Sequence, residues 1–179
     1  MPGNTMDELR HELAAGRHEA FARLYDALAD RLHHYLTAQL GSREDANDVL
    51  QETFVRLARH RLKLADVENL SAYVFRTARN EALRFAERRS RREARQTSLT
   101  ADDLFAPADD AERNEARWFV AEGLARLGPE HREVVELKAL AGLTLAEIAQ
   151  VLELPQGTVA SRWRAALDRL RLVLRKDLL

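Results

Sequence analysis

Four carboxylates, Glu44, Asp45, Asp48 and Glu52, fall within one short run of helical periodicity. Grouped in this way they could hold a divalent metal or share acid–base work. No histidine lies at a helical spacing that would complete a ligand set, and no glycine-rich phosphate loop is near. The four carboxylates are therefore not completed into a metal or acid–base site by their neighbours. The acidic run is then either a solvated face or a protein-binding face. A second group is basic: Arg84, Arg88, Arg89, Arg91, Arg92 and Arg95 follow Tyr73, Val74 and Phe75. Aromatic rings beside arginines can stack on unpaired bases while the guanidiniums hold phosphates. The simpler alternative keeps Tyr73 and Phe75 in the core, and for Phe75 that is the reading preferred here. A third group, Gln156, Ala160, Ser161, Arg164, Asp168 and Arg171, forms the polar face of a helix. Its other face carries Val159, Trp163, Ala166, Leu167, Leu170, Val173 and Leu174 at spacings of three and four.

The elements that must position this third group carry their own punctuation. Thr144 followed by Glu147 is a capping box, and Leu143 with Ile148 is a hydrophobic staple, so a helix is expected over 145–152. Pro155 cannot continue it, and a second helix begins near Gln156. Two short helices joined by a tight turn, the second polar and basic at its start, suit insertion into a DNA major groove. A helical hairpin in any bundle would share the periodicity alone.

Glycine (7) and proline (4) are scarce among 179 residues, and long stretches show helical rather than alternating periodicity. The expected class is all-α. There is no cysteine, which excludes disulfides and thiolate metal sites. No apolar run approaches the roughly 18 residues of a membrane span, and the first residues lack a signal-peptide core. No membrane insertion and a cytoplasmic location are expected. The net charge is −1, yet its distribution is uneven: −5 over 1–53, +7 over 54–99, −6 over 100–136 and +3 over 137–179. Two basic segments imply two contacts with a polyanion, and leave acidic surfaces for something else.

In chain order, residues 1–5 are expected to fray, and a short helix to cover 7–14. A long helix over 18–40 carries the apolar stripe Phe21, Leu24, Tyr25, Leu28, Leu32, Tyr35, Leu36 and Leu40, and Gly41 ends it. Ser42 and Asp45 open the acidic helix, whose Ala46, Val49, Leu50, Phe54 and Leu57 face inward. Residues 60–69 read as a loop and 69–95 as a helix of about seven turns. Periodicity stops over 96–111, a flexible acidic linker rich in Ser, Thr, Asp and Ala. Helices over 112–127 and 130–140 precede the helix-turn-helix. The expected architecture is thus two small helical domains, 1–95 and 112–179, joined by the linker 96–111.

Two separated stretches carry a family resemblance. DANDVLQETFVRL and AYVFRTARNEALRFAERR, in the first domain, resemble the polymerase-docking segment and promoter-melting helix of the extracytoplasmic-function sigma factors, within the bacterial sigma-70 family. LGPEHREVVELKALAGLTLAEIAQVLELPQGTVASRWRAALDRLR resembles that family's region 4. The resemblance implies an alternative sigma factor that joins core RNA polymerase through its clamp helices and flap. It would recognise minus-10 and minus-35 promoter elements. It further implies that Asp48, Gln51 and Glu52 bind the clamp. Asn69, Tyr73, Arg76, Arg79 and Asn80 would contact the minus-10 element and hold the opened strand. Gln156, Thr158, Ser161, Arg162 and Arg164 would read the minus-35 duplex. The resemblance also implies no covalent chemistry by this chain, hence no catalytic residue, metal or cofactor and no enzyme, the bond-making being left to polymerase, and an anti-sigma factor is a candidate partner. Several positions depart from the family pattern: Ala160 for a common lysine, Tyr73 for tryptophan, Arg84 for aspartate and Gly128 for leucine. Glu153 stands for a frequent glycine, which makes a left-handed helix end there less comfortable. The competing classes are a helix-turn-helix regulator that binds an operator without polymerase, and a metal-dependent nuclease built on Glu44, Asp45, Asp48 and Glu52. Tight binding of duplex DNA by the protein alone would favour the first. Magnesium-dependent cleavage would favour the second.

Overall fold

A computed structural model describes residues 3–95 and 123–176, and every regular element in them is helical. Helix α1 (Gly3–Ala14) begins earlier than the expected residue 7, so Gly3 to Thr5 are helical rather than frayed. Helix α2 (His18–Leu40) has the expected bounds. It ends because Gly41 takes the left-handed conformation, φ 71°, and sends its N–H back to the Thr37 carbonyl. Helix α3 (Arg43–Arg59) starts at Ser42, whose hydroxyl accepts from the Asp45 N–H at 3.2 Å. The expected loop over 60–69 contains a 3-10 helix, Arg61–Asp66. Helix α4 (Leu70–Arg95) follows, then α5 (Pro129–Ala139), α6 (Leu145–Leu152) and α7 (Gln156–Lys176). The linker and most of the helix expected over 112–127 lie outside the described residues, which are helical at 123–125. Among the described residues no helix is long and apolar enough to cross a membrane.

Helix α2 is the hub, packed on α1, α3, α4 and α5. Its stripe of Leu24, Leu28, Leu32, Tyr35 and Leu36 is buried, and Tyr35 meets the Phe75 ring of α4 edge-on at 6.0 Å. Burying each such side chain stabilises by about 1.5–3 kcal/mol, before ordering costs. Tyr25, expected in that stripe, is 43% exposed and rests on Phe54 with ring centroids 4.9 Å apart. Phe75 is fully buried and so belongs to the core.

The two helical halves pack on one another through a shared core. Val134, Leu137, Ala141, Leu143, Ile148, Val151 and Val159 join the same buried cluster as Leu32, Leu36, Val74, Phe75 and Ala78. Helix α6 lies on α4, and α5 lies on α2. A smaller cluster of Leu127, Val135 and Ala166, with Leu124 and Leu170, holds α5 to α7, and half-buried Trp163 bridges the two clusters.

Candidate nucleic-acid and polymerase interfaces

The helix-turn-helix forms as its punctuation dictates. The Thr144 hydroxyl accepts from the Glu147 N–H at 3.2 Å, and the Glu147 carboxylate accepts from the Thr144 N–H at 2.8 Å. Leu143 and Ile148 are both fully buried. Helix α6 ends at Glu153, which adopts φ 55°, ψ 42° and returns its N–H to the Ala149 carbonyl. The left-handed helix end is therefore made by glutamate itself. Past it, Gln156 and Ser161 are exposed and Thr158 is half-buried. Arg164 is exposed, its Nε donating to the Ala160 carbonyl at 3.3 Å. Arg162 points elsewhere: its Nη2 lies 2.7 Å from Glu130 at the start of α5, and its side chain is 23% exposed. The first three turns of α7 thus present Gln156, Ser161 and Arg164 outward over a base of buried Val159 and Ala166.

The acidic helix also divides into two faces. Ala46, Val49, Leu50, Thr53 and Leu57 are buried, and the Thr53 hydroxyl donates to the Val49 carbonyl at 2.7 Å. Asp48 and Gln51 are exposed and Glu52 is half-exposed, 3.8 Å from Arg59. Asp45 is tied to Arg89 of α4 at 3.1 Å, which separates it from the other three carboxylates. Val55, 41% exposed, continues the Asp48–Gln51 face.

The minus-10 candidates line the first half of α4. Asn69 caps that helix, its Oδ1 accepting from the Ala72 N–H at 2.9 Å, a positional role that the sequence reading missed. The Tyr73 ring carries the Arg76 guanidinium 5.5 Å from its centroid. Tyr73, Arg76 and Asn80 line a concavity of about 220 Å3 with Arg56, His60, Lys63, Thr77 and Arg84. At its floor Glu81, 2% exposed, lies 2.5 Å from Arg56 and 2.6 Å from Arg84. The carboxylate holds two guanidiniums at the rim of a basic hollow, an arrangement suited to a nucleotide. Neither Arg56 nor Glu81 was singled out from sequence. The signal would have been a glutamate at helical spacing before Arg84, opposite an arginine of the preceding helix.

Three of these candidates are met by the other half of the molecule. Arg79 donates from Nε and Nη2 to Glu133 at 2.6 and 3.2 Å, and this hydrogen bond raises its already high pKa. Asn69 Nδ2 donates to Glu147 at 3.3 Å, and Arg76 Nη1 to Glu153 at 3.4 Å. Burial opposes ionisation of Glu147, but the Thr144 N–H and hydroxyl, with Asn69, hold its carboxyl below the ordinary range. The Tyr35 hydroxyl donates to Glu133 at 3.3 Å; burial first, and the Glu133 charge second, push that phenol well above its usual pKa. Gln39 donates to Glu136 at 2.5 Å. Glu136 is 3% exposed, and that burial raises its carboxyl to about 7. Arg31 Nε donates to the Ala141 carbonyl at 2.6 Å and lies beside Gly142, whose φ of 65° closes the turn before α6.

With this geometry in place, comparison with known proteins is informative. The Sigma-70 region 2 family profile matches residues 24–92, and the Sigma-70, region 4 profile matches residues 123–172. The chain is 36% identical over 169 residues to the ECF RNA polymerase sigma factor SigL of Mycobacterium tuberculosis, covering 91% of this chain and 94% of that one. Among solved structures it resembles CnrH in complex with the cytosolic domain of CnrY. The TM-score is 0.69 at 27% identity, over 96% of this chain and 97% of that one. The sigma factor RpoE in complex with the anti-sigma factor NepR, from Bartonella quintana, shares the fold. There the TM-score is 0.71 at 20% identity, over 87% of this chain and 96% of that one.

Proposed function

The chain belongs to the extracytoplasmic-function group of sigma-70 family sigma factors, which direct promoter-specific initiation by RNA polymerase, and from that premise we propose how its surfaces divide the work. Residues 1–95 form the polymerase-docking and minus-10 unit, 96–111 the linker, and 112–179 the minus-35 unit. Asp48, Gln51 and Glu52 meet the clamp helices of core polymerase. Asn69, Tyr73, Arg76, Arg79 and Asn80 hold the opened minus-10 strand, the tyrosine by stacking and the arginines through phosphate. Gln156, Thr158, Ser161 and Arg164 reach base edges in the minus-35 major groove. Arg162, paired with Glu130, serves the phosphates beside them. The protein contributes binding energy and strand capture, polymerase makes the bonds, and neither cofactor nor metal takes part. It works in the cytoplasm. An anti-sigma protein is its inhibitor, as with the relative solved with NepR.

The observation that carries this reading is the division of α3. Its apolar residues fill the core, while Asp48 and Gln51 are exposed. A pull-down with core polymerase, followed by run-off transcription on a promoter library, tests it. Retention with core and a shared promoter pair in the transcribed templates are expected. Tight operator binding by the free protein, with no retention on polymerase, would replace it with a stand-alone regulator.

A further inference from the structure

Resting on the minus-10 reading above, we propose that helix α1 is part of the minus-10 reader, with Arg10 as a positioning residue for the segment His60–Asn69. Helix α1 packs chiefly on the 3-10 helix Arg61–Asp66, and less on α2. Leu13 is fully buried, Leu9 rests on the same cluster, and Leu64 of the 3-10 helix is fully buried with them. The polar tie is Arg10, whose Nη1 donates to the Val67 carbonyl, 57 residues away in sequence.

The segment is weakly held from within. Short 3-10 helices have poor hydrogen-bond geometry, and here the Val67 N–H closes on the Leu64 carbonyl at 3.4 Å. Arg61, Leu62 and Lys63 are exposed. What fixes the course of the chain comes from α1 and the turn after it. Arg10 meets the Val67 carbonyl with a charged donor, a stronger bond than a neutral one. At the other end of the segment, Arg61 lies across Gly16 in the turn between α1 and α2. Gly16 has φ 77°, and a Cβ there would come within 2.9 Å of the Arg61 Nε. Two arginines thus tie both ends of one segment to α1 and its turn.

That segment walls the minus-10 surface. Its first end supplies His60 and Lys63 to the basic hollow that Tyr73, Arg76 and Asn80 line. Its other end, Asp66 to Asn69, lines a second concavity that also reaches Tyr73 and Arg76. Val67 lies two residues before Asn69, which spends its Oδ1 on the α4 cap and keeps Nδ2 for another acceptor. Reading a base edge needs groups held within about 0.5 Å of the productive geometry. Phosphate contacts carry no sequence information, so a wall free to shift would keep much of the affinity and lose discrimination. Arg10 itself touches neither strand nor polymerase in this scheme. It sets the place of the groups that do.

Two measurements on the full chain test this. Hydrogen exchange of the free protein reports the segment. Holoenzyme binding to a selected promoter with a pre-opened minus-10 segment, substituted one base at a time, reports discrimination. Arg10→Ala should speed exchange over 60–69 and cut minus-10 discrimination roughly tenfold, inside the range that one mismatched base pair spans. Affinity for core polymerase and discrimination at minus-35 should keep their wild-type values. Arg10→Lys should restore both readouts, because an ammonium donor can meet the same carbonyl. Gly16→Ala, which disturbs the Arg61 tie and leaves Arg10 in place, should lower discrimination by a smaller factor. Unchanged exchange over 60–69, wild-type discrimination in Arg10→Ala, or a loss shared with the minus-35 element and not relieved by lysine overturns the positioning role. Asn69→Asp tests the underlying reading by itself, since it keeps the cap acceptor and removes the Nδ2 donor. If it flattens discrimination while Arg10→Ala does not, the minus-10 assignment stands and α1 lies outside it. If Asn69→Asp keeps the wild-type profile, the assignment of this segment falls and the positioning role falls with it.

Discussion

The two surfaces proposed to read DNA in this sigma factor are in opposite conditions. On α7, Gln156, Ser161 and Arg164 are exposed, and the hydrogen bonds of Ser161 and Arg164 stay within their own helix. On α4, Asn69, Arg76 and Arg79 are held by carboxylates of the other half. The difference fits what each surface is proposed to read. A duplex minus-35 element exists before any melting, so its reader can stand ready. The minus-10 strand must first be opened, and a basic, aromatic surface left bare would bind any single strand without discrimination. The exposed acidic face of α3, proposed to meet polymerase, is the third term.

The largest effect should come from that third surface. Asp48→Arg reverses charge on an exposed face with no buried partner, so circular dichroism should stay native. Core affinity should fall by about 2–5 kcal/mol, as expected when one partner of an interfacial charge pair is reversed. Co-sedimentation with core polymerase measures it. Unchanged affinity would leave the exposed carboxylates as a solvated face.

The covered surface should respond to pH through Glu136. Its carboxyl is pushed from 4.5 to about 7 by burial against α2, opposed by Gln39 and Arg132 and aided by Glu133. The packed halves therefore bind the proton more tightly than a solvated carboxylate does. Packing of the halves should be strongest below about pH 4.5, weaken as pH rises through 7, and change little above it. The span corresponds to about 3 kcal/mol at most. Thermal unfolding from pH 5 to pH 8 should show this slope, and Glu136→Gln should flatten it. An equal slope in the variant would assign the dependence to another group.

On the open surface, Arg164→Ala should cost about 1–3 kcal/mol on the preferred minus-35 sequence and flatten discrimination there. Arg162→Ala should weaken all sequences alike, with a salt slope shallower by roughly one ion at most, because Glu130 already holds that guanidinium at 2.7 Å. Holoenzyme binding at several salt concentrations, on matched and scrambled elements, separates the two. Exchanged signatures would mean that α7 enters the groove rotated.

What was legible in the sequence was local. The bounds of α2, the Ser42 cap, the Thr144–Glu147 box and the start of α7 follow from residues a few positions apart. The discomfort at Glu153 was also legible, though its use was not. The polar contacts between the halves were not legible, because they join residues 77 and 78 apart in sequence, where no periodicity reaches. One coarse signal existed: the +7 block over 54–99 and the −6 block over 100–136 are complementary. Read as two separate surfaces, they gave a nucleic-acid contact and a spare acidic face. Among the described residues the two blocks meet at Arg79 and Glu133.

The smallest expected effect decides what Glu153 is for. Glycine at that position relieves a left-handed strain of about 1–2 kcal/mol. It loses about 0.4–1 kcal/mol through the freer unfolded chain. It also loses the Arg76 pair, whose side chains are 38% and 74% exposed and which is worth about 0–1 kcal/mol after screening. The terms nearly cancel, so Glu153→Gly should change unfolding free energy by no more than about 1 kcal/mol. The salt dependence of the distance between the halves, read from spin labels on cysteines introduced at exposed Glu19 and Arg169, should change even so, because the charge on Arg76 has lost its partner. Asparagine separates the two contributions, since it tolerates the left-handed conformation but carries no charge. Glu153→Asn should therefore reproduce the altered salt dependence of Glu153→Gly. If both variants keep the wild-type salt dependence, Glu153 is only the end of α6, and the covering of the minus-10 surface rests on Glu133 and Glu147 alone.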